Sequence, residues 1–317
     1  MATLNAMDLG PEQTAAALPY PRLVDCLREL LLDPAVQVPP RMVHRLHGGG
    51  SLFVMPASDS KWAMTKLITF VAHNPAQGLP AIQGDVAVFD LADGQRKAML
   101  HGPTVTARRT AAVSVLAAQV LADKPQGPLL IVGAGVQGRS HLEAFAQCLG
   151  VRQVRVASRT GSSADALVAH ARGMGLQAER VHDLPAALAE CPWVITCTSA
   201  QEVAVRHTPR SDAMVMAVGA FTPQMVEWEA SVVRHLSATG RVVVDTRDAD
   251  HEAGDLLQAQ LDVSSFATLG DVIQKGHGLH ASSPSKGPIF FKSCGWAGWD
   301  LAAVRCWAQG ADSSLMR

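Results

Sequence analysis

The feature that most constrains the fold is residues 129–141, with the sequence LLIVGAGVQGRSH. Its four apolar residues at 129–132 predict a short buried strand, and they run directly into Gly133-x-Gly135-x-x-Gly138 and a pattern of helical period. Strand, glycine turn and helix in this order are typical of dinucleotide binding. Gly133 permits the tight turn, Gly135 lets a pyrophosphate approach the backbone, and Gly138 lets the helix pack on the strand. The alternative is a glycine turn with a purely structural role.

Strand–helix alternation continues through the second half of the chain. The runs WVITCTS, AMVMAVGA and RVVVDT are nearly all apolar and lie between helical patterns. Such runs predict a parallel sheet covered on both faces, hence an α/β protein with a Rossmann-like domain. KPQGP at 124–128 is the predicted linker into this domain, and the tail from PIFFKS onward leaves the alternation.

Composition excludes several classes of function. The net charge is −1 and no basic stripe is present, so neither a nucleic acid nor an anionic membrane is an expected partner. The first residues lack the pattern of a signal peptide, and no apolar run approaches bilayer length. The six cysteines are scattered without C-x-x-C spacing. We therefore expect a cytoplasmic protein with no disulfide framework and no metal site.

Two charged residues fall on apolar faces. Residues 62–71 alternate as a strand, and Lys66 is the only charge in its apolar row. On the helix predicted to end near residue 122, Arg109 lies in the apolar stripe, whereas Arg108 points elsewhere. A buried arginine is costly unless it meets an anion. The alternatives are a lysine that reaches outwards to water and an arginine in a structural ion pair.

The end of the second Rossmann strand indicates which dinucleotide binds. A carboxylate expected there for the ribose of NAD is absent, and Ser158, Arg159 and Thr160 stand in its place. These groups suit a 2′-phosphate, so NADPH is the predicted cofactor and NADH remains possible. The alternative is a surface arginine with NAD bound in another way. The predicted cofactor contacts are Gly133, Ala134, Gly135, Val136, Gln137, Gly138, Ser158, Arg159, Thr160 and Thr198.

Several segments resemble the ornithine cyclodeaminase/mu-crystallin family. They are PPRMVH, GGGSLFVMPA, GLPAIQGDVAVFDLADGQRKAML, TARRTAAVSVLAA, GAGVQGRSH and SCGWAGWDLAA, in the order of the family. The resemblance implies a homodimer in which a Rossmann-like domain, 123–287, is inserted in an α+β antiparallel-sheet domain, 1–122 plus 288–317, for substrate binding and dimerisation. It also implies that Arg41, Lys66 and Arg109 surround the carboxylate of the substrate.

One departure from the family pattern indicates the subgroup. Cyclodeaminases carry an aspartate in G-x-D-x-P-G-K, whereas this chain reads GAFTPQM at 219–225, with Phe221 in place of the acid. Such sequences resemble the Δ1-pyrroline-2-carboxylate and Δ1-piperideine-2-carboxylate reductases. The resemblance implies a ketimine reductase that transfers hydride from NAD(P)H to the C=N bond of a small cyclic imino acid. Lys66 is the candidate proton donor, and Phe221 is expected to face the substrate ring.

Three other functions stay open at this point. The first is an ornithine cyclodeaminase with tightly bound NAD, in which Glu227 or Asp245 replaces the missing acid and Phe221 is simply part of the core. The second is a non-catalytic binding protein of the mu-crystallin type. The third is an oxidative amino-acid dehydrogenase.

Overall fold

The computed structural model describes residues 7–122, 126–199, 202–275 and 287–315, so part of the predicted linker at 124–128 lies outside the described residues. The strands are β1 (Met7–Leu9), β2 (Met42–Arg45), β3 (Ser51–Ser58), β4 (Trp62–Phe70), β5 (Ile82–Asp90), β6 (Arg96–His101), β7 (Leu129–Val132), β8 (Gln153–Ala157), β9 (Gln177–Arg180), β10 (Trp193–Thr196), β11 (Met214–Ala217), β12 (Arg241–Val244), β13 (Ala267–Thr268) and β14 (Ile289–Lys292). The helices are α1 (Pro11–Ala17), α2 (Tyr20–Leu32), α3 (Gly102–Leu121), α4 (Val136–Cys148), α5 (Gly161–Gly173), α6 (Leu184–Glu190), α7 (Ala230–Thr239), α8 (Ala249–Glu252), α9 (Gly254–Gln258), α10 (Leu269–Gln274) and α11 (Ala297–Leu315). Within these ranges, no helix is both long and apolar enough to cross a bilayer.

The chain divides into two compact units. Unit 1 comprises Met1–Val113 and Trp296–Arg317, and unit 2 comprises Ser114–Gly295. The predicted α/β class, with a Rossmann-like domain inserted in a second domain, is confirmed. The boundaries predicted at 122/123 and 287/288 differ from those of the two units. One boundary of the units falls inside α3, and the other falls after β14 because that strand belongs to the parallel sheet.

Unit 1 is built on a sheet in the order β1-β6-β5-β4-β3-β2. Its neighbours are antiparallel except for β1, which runs parallel to β6. Strands β5 and β6 form a hairpin, with Gly94 at φ +70° in the turn between them. Helices α2 and α11 pack together, and α11 also contacts β3 and β4. Trp62 of β4 meets Trp307 of α11 edge-to-face, with ring centroids 5.9 Å apart.

Unit 2 is a parallel sheet in the order β13-β12-β14-β11-β10-β7-β8-β9. Every residue of β7, β10 and β11 is buried, as expected for strands covered on both faces. The prediction that the tail leaves the alternation is wrong for its first residues, because β14 pairs with both β11 and β12. The sequence before β14, residues 276–286, has no pattern of helical period, so the sequence did not indicate that residues 289–292 add one more strand to the same sheet.

The glycine turn between β7 and α4 is a close backbone contact. Gly133 has φ +117°, a conformation that side chains with a Cβ rarely adopt. A Cβ added to Gly138 would lie 2.1 Å from the carbonyl oxygen of Gly133. The first turn of α4 therefore packs directly on the end of β7, which is the role predicted for the third glycine.

A buried histidine holds α4 against α3. His141 Nε2 lies 2.9 Å from the Ser114 hydroxyl, and its Nδ1 lies 2.7 Å from the Gln137 carbonyl oxygen. Burial lowers the pKa of His141 to about 4. The ring is therefore neutral, with Nδ1–H donating to the carbonyl and Nε2 accepting from the serine hydroxyl.

We predict that Gly138→Ala destabilises the fold by about 1–3 kcal/mol, because the added methyl group meets backbone that cannot rotate away. Gly173→Ala is the matched control, since a Cβ there meets no atom within 4 Å. That control should change stability by no more than about 1 kcal/mol. Urea unfolding monitored by circular dichroism measures both, and equal midpoints for the two variants would contradict the close contact.

Candidate functional site

A buried carboxylate joins two of the predicted substrate residues within unit 1. Lys66 Nζ lies 2.7 Å from Asp300 Oδ2, and Arg109 Nε lies 3.3 Å from Asp300 Oδ1. The three residues are 1%, 6% and 0% exposed, so Lys66 does not reach out to water. Among the described residues, neither Asp300 oxygen has a partner with hydrogen-bond geometry. These contacts are therefore ion pairs, and the charged groups retain capacity for hydrogen bonds.

Local structure explains why these side chains meet. Lys66 occupies the buried face of β4, where alternate residues point into the core. Arg109 lies on the buried stripe of α3, and Asp300 lies in the first turn of α11. A carboxylate in the first turn of a helix is stabilised by the helix dipole.

The pKa of Lys66 is set by burial and by its charged neighbours. Burial lowers this pKa most, the Asp300 carboxylate opposes that effect, and the Arg109 and Arg41 guanidinium groups lower it further. The result is a pKa of about 8, against the usual 10.5. An ammonium group with such a pKa can give up and regain a proton near neutral pH.

Arg41 completes the cationic cluster, which we define as Arg41, Lys66 and Arg109. It immediately precedes β2, is half-buried, and places its guanidinium carbon 6.0 Å from the centroid of the Phe53 ring. Its charge acts on the pKa of Lys66. Asp300 pairs with both Lys66 and Arg109, so one carboxylate faces two cations there, and this imbalance favours a second anionic group such as the carboxylate of a ligand.

In unit 2 the glycine turn has the features of a pyrophosphate site. Gly135 has extended backbone, precedes α4, and would place a Cβ within 4 Å of no other atom. The first N–H groups of a helix have no partners within it, and they attract phosphate. Val136 is 69% exposed, and Gln137 Oε1 is buried without a hydrogen-bond partner in the described structure. The open turn from Gly133 through Ala134 to Gly138 therefore fits the phosphates of a dinucleotide.

The predicted ribose-binding residues follow β8 directly. Ser158 is half-buried, whereas Arg159 and Thr160 are exposed. Thr160 precedes α5, and its hydroxyl donates to Ser163 Oγ at 2.7 Å. A guanidinium and two hydroxyl groups are thus gathered at the carboxyl end of the strand next to β7.

A second guanidinium lies beside this segment. Arg180 ends β9, and its Nη1 atom lies 2.5 Å from the position of a Cβ built on Gly161, the first residue of α5. The same Nη1 lies 3.5 Å from the carboxylate of Asp165, in a largely exposed pair. The absence of a side chain at Gly161 leaves room for the Arg180 guanidinium in this position.

Thr198 and Phe221 follow neighbouring strands of unit 2. Thr198 lies just after β10, and both its N–H and its hydroxyl donate to Glu227 Oε1, at 2.7 and 3.0 Å. Phe221 lies just after β11, is half-buried, and packs against the hydrophobic core of unit 2. Part of the Phe221 ring therefore serves the core, as the alternative interpretation expected.

Glu227 and Asp245, the two carboxylates considered as replacements for the missing acid, accept hydrogen bonds from backbone N–H groups. Glu227 is fully buried and also accepts the Gly219 N–H at 2.7 Å. Asp245 Oδ2 accepts the Ser293 hydroxyl at 2.8 Å and the N–H groups of Cys294 and Gly295 at 2.9 Å. Acids saturated by such donors are poorly suited to carry protons for a substrate amine.

Sequence analysis gave three residues of these sites no role of the kind that the structure shows. Asp300 and Arg180 are brought in by elements far along the chain, so spacing within one element could not reveal their partners. Glu227 had only been considered as a substitute acid. An acid between apolar residues, as in Met225-Val226-Glu227-Trp228, was the available signal of burial.

A sequence model of the ornithine cyclodeaminase/mu-crystallin family matches residues 19–313. Among curated proteins, Δ1-pyrroline-2-carboxylate reductase 2 of Burkholderia ambifaria is 37% identical over 306 residues, 95% of this chain and 94% of the relative. The Δ1-pyrroline-2-carboxylate/Δ1-piperideine-2-carboxylate reductase of Azospirillum brasilense is 38% identical over 300 residues, 92% of each protein. Among solved structures, Thermococcus litoralis Δ1-pyrroline-2-carboxylate reductase, in complex with NADH and L-proline, superposes with a TM-score of 0.82 at 20% identity. It covers 98% of both chains and shows that the fold is shared.

We predict that the ammonium group of Lys66 titrates near pH 8 and that Asp300→Asn lowers this midpoint, because the carboxylate that raises the pKa is removed. Carbon NMR of protein labelled at the lysine Cε atoms measures it, with the Lys66 signal assigned from Lys66→Arg. Asp93→Asn, which removes an exposed partner of Lys97, is the control and should leave the Lys66 midpoint unchanged. A midpoint that does not respond to Asp300→Asn would contradict the ion pair.

Proposed function

This chain belongs to the ornithine cyclodeaminase/mu-crystallin family, and we propose that it is an NAD(P)H-dependent ketimine reductase of small cyclic imino acids. It reduces Δ1-pyrroline-2-carboxylate to L-proline. It also reduces the six-membered homologue, Δ1-piperideine-2-carboxylate, to L-pipecolate. The observation that carries the proposal is the cationic cluster with its buried lysine of pKa about 8. It supplies the two things this reaction needs from a protein, an anchor for a carboxylate and a proton near neutral pH.

The anchor is provided by Arg109 and Arg41. Arg109 is almost fully buried, so a carboxylate that binds it is shielded from water and the charge-assisted contact is strong. Holding the carboxylate fixes the adjacent C=N bond in one orientation, which replaces a search among orientations in solution. Bound reduced nicotinamide supplies the hydride for the imine carbon.

The proton is provided by Lys66. Protonated Lys66 gives a proton to the ring nitrogen, which makes the imine carbon a better acceptor and leaves a secondary amine as product. Neutral Lys66 then regains a proton from solvent, and Asp300, 2.7 Å away, stabilises the recharged ammonium group. Hydride, proton and imine together account for all the atoms of the product.

We propose that the protein prefers NADPH to NADH because it binds the 2′-phosphate group that only NADPH carries. Exposed Arg159, together with Ser158 and Thr160, offers a guanidinium and two hydroxyl groups to this phosphate. Arg180 adds a second guanidinium across the start of α5. NADH lacks the 2′-phosphate and would gain nothing from either arginine.

Phe221 supports a reductase rather than a lyase. Conversion of ornithine to proline needs a group that accepts and returns protons on nitrogen, and a phenyl ring cannot do so. The acids that could replace it, Glu227 and Asp245, are saturated by donors of unit 2. The exposed part of the Phe221 ring suits a substrate that is already cyclic.

We also propose a homodimer and a reducing, cytoplasmic location. Strand β2 is an exposed edge of the unit 1 sheet, and Met42 and Val43 on it are 54% and 48% exposed. Exposed apolar edges favour pairing with a second chain. All six cysteines are free thiols, as a reducing compartment would keep them.

The direct test is a spectrophotometric assay. Purified protein is mixed with NADPH or NADH and each cyclic imino acid, and the absorbance of reduced nicotinamide is followed. We expect imino-acid-dependent cofactor oxidation, faster with NADPH, with L-proline or L-pipecolate as product. Ammonia release from L-ornithine with NAD at a comparable rate would favour the cyclodeaminase instead.

Removal of Arg109 should abolish efficient turnover. In Arg109→Ala, the substrate carboxylate loses a buried partner, and we expect kcat/KM to fall by the equivalent of roughly 2–5 kcal/mol while NADPH binding persists. The matched control is Arg108→Ala on the same helix, whose guanidinium instead lies 3.9 Å from the centroid of the Tyr20 ring. Near-normal kcat/KM for Arg109→Ala would mean that this residue only pairs with Asp300.

Cofactor preference should depend on both arginines. Arg159→Asp should weaken NADPH binding by like-charge repulsion, and Arg180→Gln should weaken it about tenfold by loss of a charge-assisted contact, with little change for NADH. Arg172→Gln is the control, because that guanidinium donates to the Ala178 carbonyl oxygen at 2.8 Å. Calorimetric titration with each cofactor measures these effects. An unchanged NADPH preference in Arg159→Asp would mean that the ribose is bound elsewhere.

A further inference from the structure

Glu227 binds the ends of two neighbouring strands of unit 2. Its Oε1 atom accepts the N–H and the hydroxyl of Thr198, at 2.7 and 3.0 Å. Its Oε2 atom accepts the Thr196 hydroxyl at 3.0 Å and the Gly219 N–H at 2.7 Å. The Glu227 and Thr196 side chains are fully buried, whereas Thr198 and Gly219 are partly buried.

The bound segments lie at the carboxyl edge of the sheet, beside the glycine turn. Thr196 is the last residue of β10, and Gly219 is the second residue after the end of β11. The Cys197 thiol between the two threonines donates to the Gly133 carbonyl oxygen at 3.1 Å. The chain order of the strands reverses between β7 and β10, and open parallel sheets bind ligands at such a point.

Only an ionised carboxylate satisfies these donors. Trp228 Nε1–H donates to Thr196 Oγ1 at 3.0 Å, so the threonine proton is directed at Glu227. Burial and the Asp255 carboxylate raise the pKa of Glu227, and the Lys292 charge and the N–H groups of Thr198 and Gly219 oppose this rise. With four donors on two oxygens no position is left for a proton. A glutamine would offer one oxygen and turn its own N–H groups towards two donors.

A buried ion pair extends this support to Phe221. Lys292 Nζ lies 2.9 Å from Asp255 Oδ2 and donates to the Ala220 carbonyl oxygen at 2.6 Å. Burial disfavours its charge, but the Asp255 and Glu227 carboxylates outweigh burial and raise the pKa of Lys292 to about 12. Asp255 Oδ1 also accepts the backbone N–H of Glu227, at 2.6 Å. The loop that carries Phe221 is thus held through the backbone of Ala220 as well as by the packing of Phe221 against the core.

We propose that Glu227 is a positioning residue for the nicotinamide end of the cofactor. It holds Thr198 and Gly219 in place where the dinucleotide leaves the glycine turn, and Lys292 holds the adjoining carbonyl of Ala220. The proposal rests on the NAD(P)H-binding part of the proposed function. The adenosine end, bound by the residues that follow β8, does not depend on Glu227.

The experiment compares two ligands that share the adenosine end. NADPH and 2′-phospho-ADP-ribose, which lacks nicotinamide, are titrated by calorimetry into wild type and Glu227→Gln. We expect NADPH to bind about tenfold more weakly or worse, since buried donors to a charged acceptor are lost, and 2′-phospho-ADP-ribose to bind within about twofold of wild type. Glu229→Gln is the matched control, because Glu229 is a partly exposed partner of Arg206 and should affect neither ligand.

Thr196→Val keeps the test decisive if Glu227→Gln fails to fold. This variant removes one donor to Oε2 and should weaken NADPH in the same direction, by a smaller factor. Equal weakening of both ligands, or weakening of neither, overturns the positioning role. The two proposals can fail separately. If Glu227→Gln weakens NADPH but not 2′-phospho-ADP-ribose, and wild type reduces no cyclic imine, only the reductase proposal is overturned.

Discussion

The burial of Asp300 against Lys66 and Arg109 is the interaction on which the account of unit 1 depends. Charges removed from water are costly unless they are paired, so β4, α3 and α11 can pack only if these three side chains meet. The pairing is unequal, because one carboxylate faces two cations and the field of Arg41 as well. The imbalance favours a second anion. It also contributes to the lowered pKa of Lys66, about 8, at which the ammonium group can donate a proton near neutral pH.

The buried charged groups of unit 2 are stabilised in a different way, mainly by hydrogen bonds. Around Glu227, Asp255 and Lys292, the two oxygens of Glu227 and Oδ1 of Asp255 accept hydrogen bonds from backbone or neighbouring side chains, and Asp255 Oδ2 forms an ion pair with Lys292. Such a satisfied network fixes strand ends rather than leaving charge available for chemistry. The contrast separates the charges of unit 1, for which we propose a role in the reaction, from the charges of unit 2 that support the backbone.

Sequence analysis predicted what is encoded within single elements. The period of β4 revealed Lys66, the stripe of α3 revealed Arg109, and the glycine turn revealed the Rossmann-like unit. It assigned no role to Asp300 or Arg180, because long-range packing alone brings them to their partners. It also left β14 out of the parallel sheet, since a four-residue strand with three apolar residues carries no signal of which sheet it joins.

In the proposed reaction, this chain transfers hydride from reduced nicotinamide to the imine carbon of a cyclic imino acid. The most direct measurement uses NADPH deuterated at nicotinamide C4, in both stereoisomers, with Δ1-pyrroline-2-carboxylate, followed by mass spectrometry and proton NMR of the product. We predict L-proline with one deuterium on Cα from one of the two stereoisomers. Product without deuterium from either, or no L-proline at all, would contradict the account.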